Sequence, residues 1–167
     1  MTTGAQARAT VGREDGAVRR QLIVAAVVVT FLAVLHHADH VIRGDLVVAN
    51  GLPETWNHSG WPFQQQVSPF TASLGIYLLL IPGIVLTVLR RVGAGYWIAT
   101  SIVLGAIVLL VHFAPSRPET EYPSIIYATY DGGVGGALAL VDVFALVGSI
   151  AVLAVVAVRG RRRLKAR

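Results

Sequence analysis

Residues 21–35 read QLIVAAVVVTFLAVL, and only Gln21 and Thr30 among them are polar. A segment that apolar offers no face to water, so it is either buried all round or embedded in lipid. Three comparable runs follow, and the apolar segments are 21–42, 70–89, 94–113 and 134–158. Each is close to the ~20 residues that carry a helix across about 30 Å of hydrocarbon. Lipid cannot satisfy backbone N–H and C=O groups, so such runs cross it as helices. The sequence therefore predicts an all-α integral membrane protein, a four-transmembrane-helix bundle over 21–158. Residues 1–20 read as a disordered cytoplasmic tail, and 159–167 as a basic one.

The segment borders carry matching signals. Ser68-Pro69 suits a cap and first turn, Arg90-Arg91 and Gly93 a stop, and Asp131-Gly132 a new start. Pro82-Gly83 predicts a kink inside the second helix. Arg8, Arg13, Arg19 and Arg20 precede the first helix, Arg90 and Arg91 separate the second from the third, and a run from Arg159 to Arg167 follows the fourth. The two other junctions hold only Arg43 and Arg117. The positive-inside rule then places both termini in the cytoplasm of a plasma (inner) membrane, with 44–69 and 114–133 outside. Tyr96 and Trp97 fall at the inner interface, and Tyr122, Tyr127 and Tyr130 at the outer one.

Composition excludes several classes. The chain has 54% hydrophobic and 14% charged residues and no cysteine. Thiolate metal sites, iron–sulfur clusters, disulfides and cysteine nucleophiles are ruled out. The net charge of +5 sits at membrane borders, so it signals topology rather than nucleic acid. Neither a Ser-His-Asp arrangement nor paired carboxylates for glycoside chemistry stand out. The partner that the composition implies is the bilayer, with a homo-oligomer or a larger membrane complex as further options.

Against that background, residues 36–45, HHADHVIRGD, are unusual. On a helix, His36, Asp39, His40 and Arg43 share an arc about 100° wide, and His37 lies about 60° beyond His40. His36 is about 10 Å deeper in the membrane than Arg43. All five histidines fall on the outer side: His36, His37 and His40 on the first helix, His112 at the end of the third, and His58 in the first outer loop. Asp142 on the fourth helix reaches a depth like that of His36. An ionised Asp there costs about 2.5–3.5 kcal/mol to insert, so it should face the bundle interior and have a partner. Asp131, Gly135, Leu138, Asp142, Ala145 and Ser149 form a small, polar stripe suited to a helix seam, and Ser101, Gly105 and His112 form another.

The pattern admits three functions. His36 and His40, one turn apart, can reach one metal ion, and His112 and Asp142 can complete a nitrogen-and-oxygen site for zinc, copper or iron. Two imidazoles on different helices can also ligate a b-type haem. Either group would serve redox or electron transfer. Alternatively, histidines beside a submerged carboxylate suit a proton-linked transporter or a pH sensor. Finally, Asp39 and Arg43 at i,i+4, with His37, can form a purely structural network in an accessory subunit. Trp56, His58 and Trp61 form a candidate lid over the pocket. GGVGG at 132–136 lacks the lysine and strand of a phosphate loop and reads as a flexible helix entry or tight packing.

Overall fold

The computed structural model describes residues 3–49, 73–113, 123–130 and 133–166. All its elements are helices: α1 (Thr3–Ala49), a single 3-10 turn (Leu74–Ile76) leading into α2 (Tyr77–Val88), α3 (Ala94–Phe113), α4 (Pro123–Thr129) and α5 (Gly133–Lys165). Within them, Gly16–Arg43, Ala94–Phe113 and Gly133–Arg163 are long and apolar enough to cross a membrane. The second expected span is different. Leu74–Val88 is apolar but shorter, and residues 70–72 lie outside the described residues.

Both end helices run past their expected borders. α1 begins at Thr3, inside the segment read as a tail, and continues to Ala49. No proline occurs before Pro53, and the polar residues 3–20 are largely helix-compatible, so nothing breaks the backbone ladder. α5 likewise takes in Arg159–Lys165. Helix length follows backbone continuity, whereas the hydropathy border marks only where the lipid-compatible part stops.

α1 packs on α5 and α2, α3 packs on α5, and α4 folds against α5 and α1. Among the side chains described in α1, the buried ones are Val18, Leu22, Ala26, Val29, Ala33, His36, His40 and Arg43, with His37 beside them. Their steps of three and four residues trace one helical face. That face is apolar over its first half and turns polar from His36 onward. On α5 the buried line is Ala139, Val143, Leu146, Ile150, Leu153 and Ala157. The seam is therefore rotated from the predicted stripe: Leu138 is 64% exposed, and Asp142 sits at the seam's edge. Large apolar side chains such as Phe31, Ile81, Ile102 and Phe144 point outward around the bundle, as lipid contact requires.

Two close approaches lock the helices in register. A Cβ on Gly83 would come within 2.5 Å of the Tyr96 ring and 3.0 Å of Trp97. Trp97, expected at the interface, is instead wholly buried and donates from Nε1 to Thr87 Oγ1 at 2.8 Å. The Tyr96 hydroxyl donates to the carbonyl of Leu79, near the backbone gap that Pro82 leaves in α2. At the far end, a Cβ on Gly136 would stand 2.8 Å from the Tyr127 carbonyl oxygen. This explains the GG pair at 135–136: α4 folds directly onto the first turn of α5.

α2 ends in a Schellman arrangement. Arg91 N–H donates to the Leu86 carbonyl at 2.8 Å and Arg90 N–H to that of Thr87 at 3.1 Å. Arg90, not Gly93, takes the left-handed conformation, with φ 58°.

Candidate functional site

The polar half of the α1 face meets His112 from α3 and Asp142 from α5. His36 Nε2 lies 3.1 Å from His112 Nε2 and 3.0 Å from His40 Nε2. Ligand atoms of all three histidines fall within 4.8 Å of one another, and all three residues are buried. The geometry could hold a metal ion. The rings meet edge to face, His36 with His40 at 4.5 Å and His36 with His112 at 5.0 Å between centroids. A cavity of about 40 Å³ adjoins His36, His37 and His112, with Ala33 and Leu104 in its wall. That is enough for a water molecule or an ion.

The second ring nitrogens of His36 and His40 face different groups. His36 Nδ1 faces Asp142 Oδ2 at 3.4 Å without forming a hydrogen bond. Neither Asp142 oxygen has a hydrogen-bond partner among the described residues, and nor does His36 Nδ1. His40 Nδ1 lies 3.0 Å from an Arg43 guanidinium nitrogen. Guanidinium can only donate, so Nδ1 accepts, and the proton of a neutral His40 ring sits on Nε2. That N–H then donates to His36 Nε2, leaving His36 Nδ1 protonated and directed at Asp142. The tautomers of the cluster are thus fixed from its Arg43 end.

Arg43 is fully buried and also donates from Nε to Asp39 Oδ2 at 2.6 Å. Asp39 Oδ1 accepts from the Tyr130 hydroxyl at 2.6 Å. Burial and this hydrogen bond, together with the Asp39 charge, push the Tyr130 phenol well above its ordinary value near 10. Tyr130 therefore stays a donor across the physiological range. It stands just after α4, so the Asp39 contact anchors that short helix to α1.

His37 is not part of the triad. Its Nδ1 donates to the Ala33 carbonyl at 2.7 Å, its Nε2 lies 2.9 Å from Ser73 Oγ, and the Tyr77 hydroxyl approaches at 3.0 Å. It ties α1 to α2, a direction that follows from its angular offset. Trp56, His58 and Trp61, the candidate lid, lie outside the described residues.

The sequence reading missed three participants. Tyr130 was assigned to an interface, and Ser73 and Tyr77 were given no role. The usable signal for Tyr130 was Asp39 itself: a submerged carboxylate with one arginine still has lone pairs to fill, and Tyr130 borders the same outer junction.

No protein-family model, curated protein or solved structure matches the chain.

Proposed function

We propose that the chain is a four-span protein of the plasma (inner) membrane, both termini cytoplasmic, that binds a transition-metal ion through His36, His40 and His112. The convergence of three Nε2 atoms carries this reading. A tetrahedral ion with metal–nitrogen distances of about 2.0–2.1 Å sets its ligand nitrogens roughly 3.3 Å apart. The two separations at His36, 3.0 and 3.1 Å, are a few tenths short of that. The ligand atoms of all three lie within 4.8 Å of one another, so an ion would spread the two pairs at His36 slightly and draw His40 and His112 toward each other.

Charge supports the same reading. Arg43 and Asp39 cancel, and Asp142 has no cation against it among the described residues except the imidazole of His36. A divalent ion beside His36 supplies the missing positive charge. Asp142 then acts as the outer partner of His36, accepting from Nδ1–H and orienting the ring, as carboxylates do behind metal-bound histidines. Three protein ligands leave a fourth position for water or another small ligand. Imidazole donors suit zinc, copper and iron, and copper or iron would make the site an electron-transfer centre. The edge-to-face packing disfavours haem, whose ring needs a slot between two axial imidazoles.

A second reading rests on the Arg43 contact. Arg43, His40 and His36 are linked by hydrogen bonds in the metal-free state, and Asp142 stands 3.4 Å beyond His36 Nδ1, an arrangement that suits proton transfer.

Elemental analysis and an absorption spectrum of protein purified without chelator separate the readings. The metal reading expects one ion per chain, lost in His36→Ala, His40→Ala and His112→Ala but kept in His37→Ala. Protein that stays metal-free after incubation with zinc, copper and iron salts refutes it. A pH-dependent signal lost in Asp142→Asn would then favour proton transfer, and tolerance of every histidine substitution a structural role.

A further inference from the structure

A second concavity lies at the opposite end of the bundle. α1 and α5 are antiparallel: His36 faces Asp142, and Val18 closes on Gly160, where an added Cβ would come within 2.7 Å. The two contacts are eighteen residues apart on each helix, or about 27 Å. Beside the Val18–Gly160 contact, the helices bound a groove of about 540 Å³. That volume is typical of ligand pockets, which run to about 300–1,000 Å³.

The chemistry of the groove is divided along its length. Val24, Val28, Val152 and Val156 line one part, and Arg20, Arg159 and Arg163 line it as well. Arg159 and Arg163 are one turn apart on the same face of α5 as Val152 and Val156, so one helix stripe supplies both cation and hydrocarbon. None of the three arginines has an ion-pair partner among the described residues. Arg161 and Arg162 share the helix end and lie outside the groove.

Topology alone asks only for positive charge near a membrane border. It does not ask for three guanidinium groups, without ion-pair partners among the described residues, around an apolar trough between two helices. We propose that this groove is a binding site for one anionic phospholipid: its phosphate is held by Arg20, Arg159 and Arg163, and an acyl chain lies along the valines. Arginine is suited to the task, since its fork of donors matches phosphate oxygens. Basic pockets between membrane helices recognise anionic headgroups in this way.

The test uses the full chain reconstituted in phosphatidylcholine vesicles that contain a minor fraction of phosphatidylglycerol. Protein is then extracted in mild detergent, and retained lipid is counted by native mass spectrometry. Phosphatidylglycerol should be retained in preference to phosphatidylcholine. Arg159→Gln/Arg163→Gln should weaken that preference by about tenfold or more for each arginine removed, the worth of a hydrogen bond between charged groups. Arg161→Gln/Arg162→Gln removes equal charge and should leave the preference unchanged. Val156→Phe narrows the trough without altering charge and should also reduce retention. Equal losses in the two arginine pairs would mean diffuse attraction and would overturn the site. Equal retention of both lipids would overturn it too. Displacement of the lipid by millimolar inorganic phosphate would show that the acyl chain adds nothing, against the proposal. If Val156→Phe fails to fold, the paired arginine variants decide alone.

Discussion

Replacing Arg43 by methionine should move metal affinity and stability in opposite directions. Arg43 holds His40 Nδ1 at 3.0 Å and thereby keeps a proton on Nε2, the atom that ligation requires. For His40 to bind a metal through Nε2, the proton must move to Nδ1, and the contact with guanidinium must break. A hydrogen bond to a charged group contributes about 1.5–3 kcal/mol. Without Arg43 that cost disappears, so affinity should rise roughly ten- to hundredfold. Stability should fall instead, because Asp39 keeps only the Tyr130 hydroxyl as a partner. Breaking a buried ion pair by removing one member typically costs about 3–5 kcal/mol. The double variant Arg43→Met/Asp39→Leu leaves no orphan charge and should regain most of that loss while keeping the tighter binding. Affinity would be measured by chelator competition with zinc, and stability by thermal unfolding of metal-free protein in detergent. If both variants bind zinc more weakly than the parent chain, Arg43 does not oppose ligation and the tautomer argument is wrong.

Three further outcomes follow from the fold. Gly136→Ala should lower the unfolding midpoint, by an amount equivalent to about 1–3 kcal/mol, because its Cβ would press on the Tyr127 carbonyl oxygen; an unchanged midpoint would mean that α4 is not seated on α5. Arg90→Gly should raise the midpoint by the equivalent of about 1 kcal/mol, since Arg90 holds φ 58° where glycine is unstrained; a lower midpoint would count against the Schellman turn. Tyr130→Phe tests the raised phenol. A group whose folded value is raised contributes stability that is fully present below its unfolded value, near 10, and is lost as pH rises through the folded one. The parent chain should therefore lose stability in that alkaline window, the variant should lose less, and phenolate absorbance should show one late-titrating tyrosine that the variant lacks.

Much of this arrangement can be read from residue types and helical periodicity. The face that holds His36, His40 and Arg43 follows from angle alone, because polar groups in an apolar segment mark the side turned from lipid. Asp142 follows from the insertion cost of a carboxylate. The rotation of α5 does not follow: Leu138 and Ala139 are both apolar, and in lipid hydropathy no longer separates inside from outside. The burial of Trp97 is hidden from the sequence for a related reason. Indoles favour interfaces on average, but the hydroxyl of Thr87 gives this one a partner inside the bundle. Arg159 and Arg163 could not be told from Arg161 and Arg162 without knowing which of them face α1.

The antiparallel pairing of α1 with α5 ties spacing at one end of the pair to angle at the other. Taking the close approach of Val18 to Gly160 as a pivot puts His36 and Asp142 at the tip. With an arm of about 27 Å, a tilt of roughly 5° displaces the tip by about 2.4 Å. The separation of His36 from Asp142 is 3.4 Å. A tilt about Val18 and Gly160 would therefore change the spacing of the carboxylate and the imidazole at the other end of the helix pair.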